Sequence, residues 1–99
     1  MILGKVIGTV WSTRKDENLV GAKFLIIQQL DVEYNFKDNT LIAVDSVGAG
    51  VGEIVLVAQG SSARQTVFTK NKPVDAVIMA IVDKLDISIK EKIKELVKK

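Results

Sequence analysis

The sequence predicts an all-β fold, a small five-stranded barrel, with a C-terminal amphipathic helix. Three observations carry that expectation. Five short apolar stretches rich in Val, Ile and Leu succeed one another with polar or glycine-rich turns between them, which is the pattern of a strand series. Gly4 and Gly8 are set into the first of these stretches, where glycine serves the bends and bulges of a curved sheet. The last twelve residues switch to a helical period. A chain of 99 residues can build one modest core. It divides into a barrel domain over residues 1–87 and a helical extension over 88–99.

The first strand is expected over residues 2–11, with Ile2, Val6 and Val10 of one parity. Residues 12–18, Ser-Thr-Arg-Lys-Asp-Glu-Asn, read as a solvated loop carrying both signs of charge at its tip. The second strand is placed over 19–30. Its centre, Phe24-Leu25-Ile26-Ile27, is apolar without alternation, so both faces should be covered, in the core or at a subunit contact. Residues 31–39 form a polar connection ending on the turn signal Lys37-Asp38-Asn39, with Tyr34 and Phe36 covering one end of the barrel. The third strand comes next, over 40–47. Asp45 interrupts it, and such a group is expected to cap backbone N–H groups of the next turn. The fourth strand runs over 52–58. Residues 65–72 are polar around Val67 and Phe68, and Pro73 punctuates them. The apolar run 75–83 lacks a clear period, so a short turn at 74–76 and a fifth strand to Val82 compete with a helix over 74–85.

The tail is more distinct. Ser88-Ile-Lys-Glu91 has the form of a capping box. Ile89, Ile93, Leu96 and Val97 fall at i, i+4, i+7 and i+8, one helical stripe. Lysines fill the other face and the last turn, where they suit the helix dipole. Three turns are marginal in isolation, so the helix should dock, on its own subunit or a neighbour. It is short and lacks the aromatic residues of a membrane-surface helix.

The chain is organised around residues 44–64, which hold four of its seven glycines. Gly48, Gly50 and Gly52 precede the strand-like Glu53-Ile-Val-Leu-Val-Ala58, and Gly60-Ser-Ser-Ala-Arg64 succeeds it. This is not the phosphate-binding G-x-G-x-x-G that opens a helix. Its third glycine position holds Glu53, the next residues favour a strand, and a carboxylate would repel an anion.

Composition excludes more chemistry than it suggests. There is no cysteine and no histidine, which removes the thiolates, the commonest general base and the commonest metal ligand. The candidate catalytic groups are the carboxylates Asp45, Glu53, Asp75 and Asp83 and the hydroxyls Ser61 and Ser62. No spacing pairs the acids, and the serines lack a histidine base. No catalysis, cofactor or metal site is expected. No apolar run approaches a membrane span and no secretory pattern opens the chain, so a cytoplasmic protein is the default. Residues 84–99 carry six Lys against three acids, or +3; the other 83 residues carry 14 − 6 = 8 basic and 12 − 3 = 9 acidic side chains, or −1. A five-strand barrel fits the OB type, and OB barrels bind single-stranded nucleic acid through basic grooves and stacking aromatics. Here Trp11, Phe24, Tyr34, Phe36 and Phe68 do not alternate with Lys or Arg. An OB-fold nucleic-acid-binding module is therefore the alternative reading, not the first.

The first reading comes from a resemblance. Ile2-Leu-Gly-Lys5-Val-Ile-Gly8-Thr-Val-Trp-Ser-Thr, Gly21-Ala-Lys-Phe-Leu-Ile-Ile-Gln28, Asp45-Ser-Val-Gly-Ala-Gly50-Val-Gly-Glu-Ile-Val-Leu-Val57, Gly60-Ser-Ser-Ala-Arg64, and Pro73-Val-Asp75 through Ala80-Ile-Val-Asp83 resemble the EutN/CcmL family of bacterial microcompartment vertex proteins, over residues 1–87. The resemblance implies an OB-like barrel without catalysis of its own. It also implies a homopentamer that caps the vertices of a polyhedral shell, with hexameric shell proteins as its other partners. Trp11-Ser-Thr-Arg14 looks more like the catabolic branch, the ethanolamine, propanediol or glycyl-radical type. Many members end near Ile87, so the resemblance does not extend to the tail. A ring of five gives the two glycine loops a purpose. They flank a strand of about seven residues, roughly 23 Å long, and cannot meet within one subunit. Gly48, Ala49 and Gly50 are assigned to an axial opening, and Ser61, Ser62 and Arg64 to subunit contacts; the allocation can be reversed on these grounds.

Overall fold

A computed structural model describes residues 1–12, 16–60, 63 and 75–88. Five strands, β1 (Ile2–Val10), β2 (Phe24–Leu30), β3 (Phe36–Asp45), β4 (Ile54–Gln59) and β5 (Ala76–Ile81), close into a barrel in the order β1-β2-β3-β5-β4. All pairings are antiparallel except β3 with β5, which run parallel over Val44↔Val77 and Asp45↔Ile78. The strand reading of 76–81 displaces the alternative helix over 74–85. A β-branched and apolar run with neighbours on both sides is held by ladder bonds rather than by its own turns. The C-terminal helix expected over 88–99 lies, from Ile89 onward, outside the described residues.

One side of each strand fills the barrel. Val6, Leu25, Ile27, Ala43, Ala49, Val55, Val57, Ala76 and Ile78 form the main core, with Ile2, Leu41 and Ile81 packed against it. Each fully buried Val, Leu or Ile contributes about 1.5–3 kcal/mol relative to exposure, which is how a chain this small holds its sheet closed. Gly4 is part of the same economy of space, because a Cβ there would fall on Ile27 Cγ2 and 3.1 Å from the Gln28 carbonyl oxygen.

Outside the barrel, Ala22 and Val44 pack with Leu19 and Phe24. The expected bulge in β1 is present: the register with β2 shifts between Val6 and Gly8, leaving Ile7 without an opposite residue. A second shift, between Leu56 and Val57 of β4, singles out Met79 in β5. Extra residues of this kind sharpen the twist that closure needs.

Two boundaries differ from expectation. Residues 19–23 are not strand. Glu17–Leu19 form a 3₁₀ turn whose cap, Asp16, accepts from Asn18 N at 2.8 Å, and Gly21 comes next at φ 86°. At the β2–β3 connection the turn comes earlier than Lys37-Asp38-Asn39. Asp31 Oδ1 accepts from Glu33 N at 2.8 Å and Asn35 N at 3.0 Å, and Tyr34 takes φ 66°. Local carboxylate bonds make this Asx-type turn, and Lys37-Asp38-Asn39 become strand. Tyr34 and Phe36 do not cover a barrel end. Both stand exposed at the hairpin tip, Tyr34 in the turn itself and Phe36 at the start of β3, opposite Leu30 at the end of β2.

Candidate functional site

The connection from β3 to β4 is tied down at every step. Asp45, at the end of β3, turns one carboxylate oxygen on three successive amides: Val47, Gly48 and Ala49 N–H donate to Oδ1, each at 3.1 Å. Gly50 N–H donates to Glu53 Oε1 at 2.6 Å, and Glu53 N–H returns to the Gly50 carbonyl at 3.1 Å. Gly52 N–H donates to the Val6 carbonyl at 2.8 Å and Val6 N–H to the Glu53 carbonyl at 2.9 Å, stitching the loop to β1 beside its bulge. Lys23 Nζ donates to the Ala49 carbonyl at 3.3 Å. Gly48 and Gly52 take φ 80° and 94°, the left-handed region in which a Cβ is strained.

This geometry explains why the loop is not an anion site. A run of amides curling round a point is the arrangement that binds phosphate, and here the chain's own Asp45 and Glu53 occupy it. It also takes those two carboxylates out of contention for acid–base work, since both are engaged by backbone donors. Asp75 and Asp83 are exposed. Among the described residues, no group of three or more His, Cys, Asp or Glu is placed to hold a metal. Among the described residues, no helix is long and apolar enough to cross a membrane.

The expected axial residues Gly48, Ala49 and Gly50 do share this loop, with one addition. Ala49 is buried and belongs to the main core, so its small side chain is required by the barrel end itself. Gly50 is freer: a Cβ there meets only Glu53 Oε1, at 3.4 Å. The second glycine loop begins at Gly60, φ 64°, whose N–H donates to the Asp75 carbonyl at 2.7 Å. Ala63 packs with Ala58 and Val77. Ser61, Ser62 and Arg64, the expected interface residues, lie outside the described residues. The two loops start from opposite ends of the six-residue β4, about 20 Å apart.

Sequence reasoning missed two features. Lys23 reaches a carbonyl 26 residues away, and no local signal announces it. The other is an apolar row on the outer face. Gly8 pairs with Ile26 and Ile26 with Ile42, and the bulged Ile7 stands next to them. Ile7 and Ile42 are 43% and 48% exposed, too much for core residues. The unalternating run in β2 was the signal, since it asks for cover on both faces. The exposed aromatics do not form a stacking platform. Trp11 lies just past β1, opposite the start of β2, while Tyr34 and Phe36 flank its far end, about 20 Å away.

The profile of the family described as ethanolamine utilisation protein EutN/carboxysome matches residues 1–83. The bacterial microcompartment shell vertex protein GrpN of Rhodospirillum rubrum is 48% identical over 86 residues, which are 87% of this chain and 97% of GrpN. Its structure, a pentameric microcompartment shell protein, superposes with a TM-score of 0.80, covering 88% of this chain and 99% of that one. The structure of CcmL from Nostoc sp. gives a TM-score of 0.85 at 44% identity, covering 90% and 94%; CcmL of that organism is a carboxysome shell vertex protein, 46% identical over 88% of this chain and 87% of its own. The chain belongs to the EutN/CcmL family. These relatives are structural shell proteins rather than enzymes. The catabolic type read from Trp11-Ser-Thr-Arg14 is not singled out by them, because a carboxysome protein matches about as well as GrpN. Nothing in the comparisons favours the nucleic-acid-binding alternative.

Proposed function

We propose that this chain is the pentagonal tile that closes the vertices of a bacterial microcompartment shell. The observation that carries this reading is its 47% identity to, and near-complete coverage of, the pentameric shell protein GrpN. Hexagonal tiles alone make a flat sheet, and five-fold tiles supply the curvature. A head-to-tail contact that closes after five copies makes such a tile. The partners are four further copies of this chain and the hexameric tiles around it. No reaction, cofactor or metal is assigned to it. A catabolic compartment remains our reading of Trp11-Ser-Thr-Arg14.

Within the ring, Gly48, Ala49 and Gly50 are placed near the axis and Ser61, Ser62 and Arg64 at the contact between copies. Residues 88–99 are an accessory helix added to a 1–87 domain, a division supported by the family match ending at residue 83. Native mass spectrometry tests the whole reading: the unaltered protein should run as five copies, and a monomer at high micromolar concentration overturns it. Arg64→Ala should shift the population toward smaller species, because a bridging guanidinium leaves its acceptors unpaired when removed. Gly50→Trp should obstruct ring closure without unfolding the barrel, since a Cβ there meets only the end of the Glu53 side chain, at 3.4 Å. Replacing Ala49 would not discriminate, since its side chain lies in the core. If both variants keep the pentamer mass and melting temperature of the unaltered protein, the allocation of the two loops is wrong.

A further inference from the structure

We propose that residues 88–99 fold back as a helix onto the outer face of their own barrel, seated on the apolar row formed by Ile7, Ile26 and Ile42. The row is uncovered by any described element, and its outer members are nearly half exposed. The chain leaves the barrel beside it. Val82 N–H donates to the Ile54 carbonyl at 2.8 Å, Ile54 pairs with Lys5, and Ile7 stands two residues further along β1. Val51, 65% exposed, extends the apolar surface toward that exit, because the neighbouring Gly52 is bonded to Val6.

The dimensions agree. Six residues, 83–88, reach up to about 20 Å, more than enough to cross one strand and enter the row. The row crosses three strands, two spacings or about 10 Å. The helical stripe from Ile89 to Val97 rises about 12 Å. The exit sets the direction: Ile89 falls near Ile7, Ile93 over Ile26, and Leu96 and Val97 near Ile42. Gly8 contributes by absence. A side chain there would stand beside Ile26 Cδ1, at 3.3 Å, so glycine leaves a trough in which a helix ridge can sit. The lysines of the segment then face water.

The chain has no native cysteine, so engineered pairs report cleanly. Oxidising full-length Ile42→Cys/Leu96→Cys should convert most of the protein into an intrachain-linked, faster-migrating single chain on a non-reducing denaturing gel. Met79→Cys/Leu96→Cys, with Met79 exposed on β5, is the control and should not. Linked dimers would place the tail on a neighbouring copy, and linking no greater than the control would leave it undocked; either result overturns the proposal. A second reading needs no disulfide. Trypsin should cut at Lys90, Lys92 and Lys94 roughly tenfold faster or more in Ile42→Asp than in the unaltered protein, since cleavage tracks the population of the open form. Equal rates overturn the proposal. Both assays read the single chain, so they stand whether or not the pentamer forms, which native mass reports separately.

Discussion

Asp45→Ala should lower the melting temperature by roughly 10 °C, a loss of about 2 kcal/mol for a domain of this size. The side chain holds three consecutive amides of the β3–β4 connection, and hydrogen bonds to a charged acceptor are stronger than neutral ones. The loss is not three full bonds, because Val47 and Gly48 N–H lie near the surface and can turn to water. Ala49 N–H is part-buried and has no such recourse. Releasing it also loosens Ala49 from the core it helps to fill. Asp45→Asn, which keeps one carbonyl oxygen without the charge, should fall between the parent and Ala. Calorimetry or far-UV circular dichroism is the measurement to use. Trp11, 90% exposed, hardly changes environment on unfolding. If Asp45→Ala melts within a degree or two of the parent, the loop is held by its ties to Val6 and Lys23, and Asp45 is dispensable.

That cap was legible in the sequence because it is local: an acid at the end of an apolar run, with glycines directly after it, has few other uses. The first strand and the bulge at Gly8 were legible for the same reason, through the parity of Ile2, Val6 and Val10 and a glycine out of place in a strand. The fifth strand was not, because its apolar run has no period and only its neighbours β3 and β4 decide against a helix. The misread boundaries were decided by contacts the pattern does not carry. Leu19 and Val20 look like strand, yet the carboxylate of Asp16 and the positive φ of Gly21 make a turn there. Lys37-Asp38-Asn39 look like a turn, yet Asp31 has already made one, and these three residues lie in β3 where its register with β2 shifts, between Leu30↔Phe36 and Gln28↔Thr40. Tyr34 at φ 66° is a conformation no tyrosine signals in advance.

The glycine loop was recognisable as a backbone feature, but not which side of the barrel wall each residue takes. Ala49 between two glycines reads as a minimal side chain suited to crowding at an axis. In the fold it points the other way, into the core, and only the flanking glycines remain available to a neighbour. The outer row shows the converse. Sequence alone indicated that β2 needs cover on its second face; the register shows that Ile42 on one side and the bulge of β1 on the other complete the surface.

Gly4→Val should be more damaging still. Gly4 and Gly8 sit four residues apart in one strand, and composition treats them alike. They face opposite sides of the barrel wall. At Gly4 an added Cβ meets Ile27 Cγ2 and the carbonyl oxygen of Gln28, one a fully buried side chain and the other backbone of the paired strand. Neither can retreat without moving β2. Overpacking of a filled core costs about 1–3 kcal/mol and sometimes more, and a β-branched side chain adds two further carbons. We expect a loss at or above the top of that range, on the order of a 15–25 °C fall in melting temperature, and less for Gly4→Ala. At Gly8 the nearest atom is Ile26 Cδ1, the end of a flexible side chain on the outer surface. Gly8→Ala should therefore cost much less than Gly4→Ala, because only that side-chain end has to give way and alanine loses less backbone entropy on folding than glycine. Thermal unfolding of the three variants at one protein concentration keeps the mass-action contribution of assembly comparable. The same sign and size of effect at both positions would mean that Gly4 does not face the barrel interior, and the inward register of Ile2, Gly4 and Val6 would have to be abandoned.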